Sequence, residues 1–166
     1  GIILDQSLRL HDNRVDVRDA GTAFRFLTAY FSILEGHSLI LTGSSRLKER
    51  PIVDLVDSLR SLGADIQYLD KEGFAPIKIV GRYLLGGEIS IKGNISSQFI
   101  SALLLIAPTL EKGLTIKITG EIVSRSYIDM TLNIMVQFGI DISWEGDIIH
   151  ISPQEYIAKD YLVESD

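Results

Sequence analysis

Three short segments hold the side chains best suited to chemistry, and all three would handle anions. Ser96-Ser97-Gln98 follows Gly93-Asn94-Ile95 and opens a strongly apolar stretch. If that stretch is a helix, the free N–H groups of its first turn and the positive end of its dipole form an anion site. The two hydroxyls and the amide add donors for a phosphate or a polyol. The plainer reading is an N-cap followed by polar filler. Gly21-Thr22 stands at the start of another apolar stretch, where a missing Cβ would let a ligand approach the backbone. Taken alone, a glycine merely tolerated at a helix start explains it better. Arg46-Leu47-Lys48-Glu49-Arg50-Pro51 is a loop of cations, and arginine grips phosphate or carboxylate through two parallel hydrogen bonds. A solvated charge run is its ordinary alternative.

Other candidates are weaker. His11, His37 and His150 are isolated in sequence, Trp144 suits a strand packing on its sheet, and Asp129 and Glu35 have no obvious carboxylate partner. No Walker loop, dinucleotide fingerprint or metal-ligand spacing occurs, so no metal and no cofactor is expected. The absence of cysteine excludes disulfides, thiolate metal sites and a cysteine nucleophile in this segment. A formal net charge of −6 argues against a nucleic-acid surface but not against a small anionic ligand. With 46% hydrophobic residues, the 166-residue chain can build one sizeable core. No apolar run reaches the roughly 18 residues of a membrane helix, and nothing marks a signal peptide. A soluble, cytoplasmic protein with no membrane partner is expected. The start at Gly1 and the stop at Tyr-Leu-Val-Glu-Ser-Asp suggest a piece of a longer protein.

The elements that must position these groups come in two copies. Leu62-Gly63-Ala64-Asp65-Ile66 matches Phe138-Gly139-Ile140-Asp141-Ile142, and Thr42-Gly43 matches Thr119-Gly120. The offset is about 75 residues, a repeat of one supersecondary unit. In the first copy 15–17, 38–42, 65–69 and 77–80 read as strands, and 21–34 and 51–62 as helices. Pro51 suits a first helical turn and Gly63 the position just past the end. The second copy reads as strands 88–92, 114–119, 141–144 and 148–151, with helices 97–110 and 127–138. This gives two tandem βαβαββ units, 12–84 and 85–155, followed by a segment 156–166. The helices opening each unit are apolar nearly all round, so they are expected inside with the sheets outside, an inside-out α/β fold. Two units are too few to wrap such helices, and a third copy is expected beyond this chain. The loops before the second helices, Arg46–Pro51 and Glu121–Tyr127, then fall on the same side as the helix starts at Gly21 and Ser97. That coincidence favours one shared anion site.

These segments resemble the EPSP synthase family (3-phosphoshikimate 1-carboxyvinyltransferases). The matching stretches are DAGTAFRFL from Asp19, RLKERPIVDLVDSLRSLGA from Arg46, GNISSQFISALLLIAP from Gly93, SRSYIDMTLNIMVQFG from Ser124 and YLVESD from Tyr161. The family has two domains, each of three βαβαββ units with helices inside. The resemblance therefore makes residues 1–166 part of one domain, with 156–166 beginning the crossover to the other. It implies transfer of the enolpyruvyl group of phosphoenolpyruvate to the 5-hydroxyl of shikimate-3-phosphate. Carried over position by position, Ser96, Ser97, Gln98, Ser124 and Tyr127 hold shikimate-3-phosphate, while Gly21, Arg50 and Gln98 contact phosphoenolpyruvate. The acid/base residues lie outside this chain, which would have half a site and no turnover. The whole enzyme is expected to be monomeric and this piece prone to self-association.

The chain departs from the family pattern at Asp19 (usually Asn), Phe26 (often Pro) and Arg125-Ser126 (often Lys-Pro). None of these removes a binding group. A sibling family, which transfers enolpyruvyl to UDP-N-acetylglucosamine, shares the fold but typically carries a cysteine near the position of Ser45. The serine here and the Ser-Ser-Gln signature favour the shikimate enzyme. A non-catalytic anion-binding module of the same fold is the rival from another class.

Overall fold

The computed structural model describes residues 13–162. The first repeat runs β1 (Arg14–Asp16), α1 (Gly21–Ser32), β2 (Ser38–Thr42), α2 (Val53–Ser61), β3 (Asp65–Tyr68) and β4 (Ile77–Val80). The second runs β5 (Gly87–Lys92), α3 (Ser97–Ile106), β6 (Leu114–Thr119), α4 (Arg125–Gln137), β7 (Ser143–Glu145) and β8 (Ile148–Ile151). Each repeat closes its own four-stranded sheet, and the strand orders are the same, β1-β2-β4-β3 and β5-β6-β8-β7. The first two strands of each pair in parallel and the rest antiparallel. A parallel pair needs a crossover, which α1 and α3 supply. Residue 12, at the edge of the first expected unit, and 163–166, in the expected crossover segment, lie outside the described residues, as does His11.

The helices of the two repeats pack on one another, with α3 touching α1, α2 and α4. Phe99, Ile100, Leu103 and Leu104 of α3 are all buried. The strands, by contrast, alternate buried and accessible residues, as in β5 and β8. One face of each sheet therefore meets the helices and the other meets solvent, an α/β arrangement with its core built on helices.

The same device stops the second helix of each repeat. Gly63 (φ +101°) and Gly139 (φ +86°) take the left-handed conformation just past α2 and α4. Gly63 N–H donates to the Arg60 carbonyl at 2.9 Å and Ala64 N–H to that of Leu59 at 3.0 Å. Gly139 donates to Val136 at 3.0 Å and Ile140 to Met135 at 3.1 Å. Both are Schellman motifs, which satisfy the last carbonyls of a helix and turn the chain into the next strand.

Several expected boundaries shift by one or more residues, and three of the shifts have a local cause. Regular α-helix ends at Ile106 rather than 110 and continues as a 3-10 turn over Ala107–Thr109, where Pro108 has no N–H for an α-helical bond. Helix α2 begins at Val53, not Pro51: Ile52 is its N-cap, with a non-helical φ of −133°, and its N–H is held by the Gly73 carbonyl at 2.9 Å. Strand β7 begins only at Ser143. The Gln154 amide binds both backbone groups of Asp141, accepting from its N–H at 2.7 Å and donating to its carbonyl at 3.0 Å.

Candidate anion-binding site

The loop after β1 and the loop after β2 are locked together, and this sets the geometry at the start of α1. Arg18 adopts a left-handed φ of 53°, and its N–H donates to the Asp16 carboxylate at 2.8 Å. Its carbonyl accepts from Ser44 N–H at 2.9 Å, and the Ser44 hydroxyl donates to Asp19. Ser44 Oγ also accepts from Leu47 N–H at 3.2 Å, at the start of a 3-10 turn over Leu47–Glu49. That turn delivers Arg50 to the first residue of α1. A Cβ on Gly21 would lie 2.6 Å from Arg50 Nη1 and 2.7 Å from Arg25 Nη1. Two guanidinium groups thus close on one Cα, and only glycine leaves them room.

Arg25 curls back toward the N-terminus of its own helix. Its Nη1 donates to the Gly21 carbonyl at 2.9 Å, and its guanidinium carbon stands 5.3 Å from the ring centre of Phe99 in α3. Burial, and then the charge of Arg50, hold its pKa below the usual arginine value. Among the described residues, neither Arg25 nor Arg50 has a carboxylate at salt-bridge distance. A helix N-terminus already carries partial positive charge, so the three sources add rather than cancel.

Beside this cluster lies a cleft of about 700 Å³ between α1, α3 and α4. Ser96, Ser97, Gln98 and Tyr127 line its polar end, and Phe26, Leu105 and Ile134 its apolar end. Ser96 is the N-cap residue of α3, but its side chain caps no backbone N–H and stays exposed. Inside the wall, the Ser101 hydroxyl meets the Thr131 hydroxyl at 2.7 Å, and Thr131 in turn donates to the Tyr127 carbonyl at 3.0 Å. With Thr131 committed as a donor there, Ser101 must donate to it. This buried chain ties α3 to the turn that carries Tyr127. Gln98 Nε2 donates to Thr22 Oγ1 at 2.9 Å, joining the second residues of α3 and α1 and linking cleft to arginine cluster. The arrangement is a cleft with hydroxyls at one end and apolar side chains at the other, abutting a cationic corner. It can hold a polyol and small oxyanions side by side.

A family model described as EPSP synthase (3-phosphoshikimate 1-carboxyvinyltransferase) matches residues 4–166. The chain belongs to the EPSP synthase family. It is 53% identical over 153 residues to a 3-phosphoshikimate 1-carboxyvinyltransferase of Bacteroides fragilis (strain YCH46), covering 92% of this chain and 37% of that protein. Against the Vibrio campbellii protein of the same name identity is 47% over 151 residues, covering 89% and 35%. The chain thus spans little more than a third of the length of these curated relatives. The solved EPSP synthase of Acinetobacter baumannii superposes with a TM-score of 0.75 at 24% identity, over 88% of this chain and 32% of that one. That likeness carries the fold.

Within this EPSP synthase-type fold the residues singled out by sequence fall into two neighbouring groups. Ser96, Ser97, Gln98 and Tyr127 share the cleft, whereas Gly21 and Arg50 form the cationic corner with Arg25. Ser124 stands just outside the cleft lining, as the N-cap residue of α4, and its carbonyl accepts from Tyr127 N–H at 3.2 Å. Sequence reasoning missed Arg25, Thr22 as the partner of Gln98, and the Ser101–Thr131 pair. Arg25 had a signal: it is the one charged residue in the twelve of α1, four after Gly21. The hydroxyl pair had none, since serine and threonine inside helices are unremarkable by pattern.

Proposed function

We propose that the chain supplies part of the substrate site of a 3-phosphoshikimate 1-carboxyvinyltransferase. The enzyme moves the enolpyruvyl group of phosphoenolpyruvate to the 5-hydroxyl of shikimate-3-phosphate, giving 5-enolpyruvylshikimate-3-phosphate and phosphate. In this reading it is a cytoplasmic, monomeric enzyme of the shikimate pathway of aromatic amino-acid biosynthesis, working without a cofactor. Ser96, Ser97, Gln98, Ser124 and Tyr127 bind shikimate-3-phosphate. Gly21, Arg50 and Gln98 bind phosphoenolpyruvate. The Gln98–Thr22 bond carries the reading, because it joins the hydroxyl-bearing end of the cleft to the cationic corner, as two anionic substrates that must react require.

In the proposed chemistry the methylene carbon of phosphoenolpyruvate takes a proton while the 5-hydroxyl gives up its own proton and attacks C2. The tetrahedral adduct then loses phosphate together with one proton of the new methyl group, which restores the carbon–carbon double bond. The first-turn N–H groups of α1 are fixed by the helix before the reaction starts, and Arg50 stands beside them, so both are placed to stabilise developing negative charge. The proton-transfer groups are assigned to the other domain of the enzyme. The 166-residue chain alone therefore has half a site and no turnover, and measurable product from it would sink that assignment.

The test is an NMR titration with shikimate-3-phosphate, following the amides of Ser97, Gln98, Ser124 and Tyr127. Saturable shifts confined to these positions, with none for UDP-N-acetylglucosamine, support the reading. A folded full-length enzyme that shows no such shifts overturns it.

A further inference from the structure

Arg25 is given no ligand by the reading above, yet it is placed as though it had one. Its Nη1 and that of Arg50 converge on the position of the absent Gly21 Cβ, at 2.7 Å and 2.6 Å. Its Nε is buried and has no hydrogen-bond partner among the described residues. The side chain runs back along α1 toward a terminus that repels cations, and ends beside a second arginine. No acidic side chain among the described residues offsets the pair. Two like charges held together, Arg25 partly buried and Arg50 exposed, are stabilised when an anion sits between them. The desolvated guanidinium of Arg25 would bind such an anion more strongly than a solvated one.

We propose that Arg25 and Arg50 together grip one small oxyanion over Gly21, so that Arg25 is a second cationic binding residue of the phosphoenolpyruvate site. This rests on the assignment of that site to Arg50. The oxyanion is a phosphate or a carboxylate, both of which the donor substrate carries. Gly21 completes the seat by leaving the space between the two guanidinium groups open. Phe99 of α3, across the ring of which Arg25 lies, holds the guanidinium plane in place from the second repeat.

A competing role for Arg25 is purely structural, as a clamp between α1 and α3, and the experiment separates the two. The full-length protein is titrated with inorganic phosphate and, separately, with pyruvate as a carboxylate probe. The Nε–H signals of Arg25 and Arg50 and the amide of Gly21 are followed by NMR. Both guanidinium signals are expected to move along one saturation curve with the Gly21 amide, and the probe that saturates at lower concentration identifies the end of the donor that is bound. Arg25→Lys keeps the charge but loses the fork, and should weaken that probe about tenfold; Arg25→Gln should weaken it further. In both variants the response of the Tyr127 amide to shikimate-3-phosphate should persist. The proposal is overturned if Arg50 responds without Arg25, if neither probe saturates, or if Arg25→Gln leaves probe affinity within about twofold. It is likewise overturned if Arg25→Gln abolishes the Tyr127 response along with probe binding, since that marks a packing role. A wild-type protein whose Tyr127 amide ignores shikimate-3-phosphate would instead count against the function proposed above.

Discussion

At the scale of single residues, the site depends on what Gly21 lacks. A methyl group there would meet two guanidinium ends rather than backbone, and flexible ends can swing away. Gly21→Ala should therefore fold normally but displace both cations from the helix start. We expect its melting temperature to stay within a few degrees of wild type and its KM for phosphoenolpyruvate in the full-length enzyme to rise about tenfold, or about 1.4 kcal/mol. Steady-state kinetics beside a melting curve checks this, and a large loss of stability with unchanged KM would contradict it. Sequence alone could nominate Gly21 and Arg50 but could not pair them, because they meet through the Ser44 contacts and the 3-10 turn at Leu47–Glu49. Arg25 was hidden differently. An arginine in an apolar helix reads as a snorkelling surface residue until its direction along the helix is known.

At the scale of elements, the two repeats were legible because their stop signals are chemical. Gly63 and Gly139 stand in matching places, and each occupies a left-handed Schellman position that other residues adopt only with strain. The ends of the first helices were less legible. The apolar pattern of α3 runs on through Leu110, and only the proline at 108 decides where regular hydrogen bonding stops. The start of β7 was illegible for a further reason, since its competitor, Gln154, is distant in sequence. The glycines also yield a graded prediction. Gly63→Ala meets nothing closer than 3.8 Å, so its cost is conformational, about 1–2 kcal/mol. Gly139→Ala carries the same strain, and its Cβ would also fall 2.6 Å from Ile157 Cδ1. It should be the more destabilising of the two by urea unfolding, unless deleting the Ile157 side chain in the same background removes the difference. Equal costs without that deletion would mean the segment after β8 does not bear on α4.

At the scale of the whole molecule, the segment after β8 crosses back over the helices and is tied down by a phenol. Tyr156 O–H donates to the Leu105 carbonyl at 2.9 Å, and Ile157 N–H to that of Phe138 at 2.8 Å. Burial pushes Tyr156 up to about 12, and burial also raises Tyr68 to about 12 against the opposing charge of Arg60. An unfolded tyrosine loses its proton near pH 10, so between about pH 10 and 12 the unfolded chain binds fewer protons than the folded one. Stability must then fall as pH rises through that window, and it is fully retained below it. Urea midpoints measured across this range should drop less steeply for Tyr156→Phe combined with Tyr68→Phe; an unchanged slope would place the alkaline loss elsewhere.

The cleft has a second consequence at this scale. Its apolar end, with Phe26, Leu105 and Ile134, continues onto Met130, which is 53% exposed. Apolar surface of this extent between helices drives association when nothing covers it. The 166-residue chain is expected to form concentration-dependent oligomers, with Met130→Glu shifting the population to monomer because a charge cannot be buried there without a partner. Sedimentation velocity over a hundredfold concentration range tests both statements. A wild-type chain that stays monomeric throughout would show that the face is self-sufficient, whereas oligomers that persist in the Met130→Glu variant would place the contact on another surface.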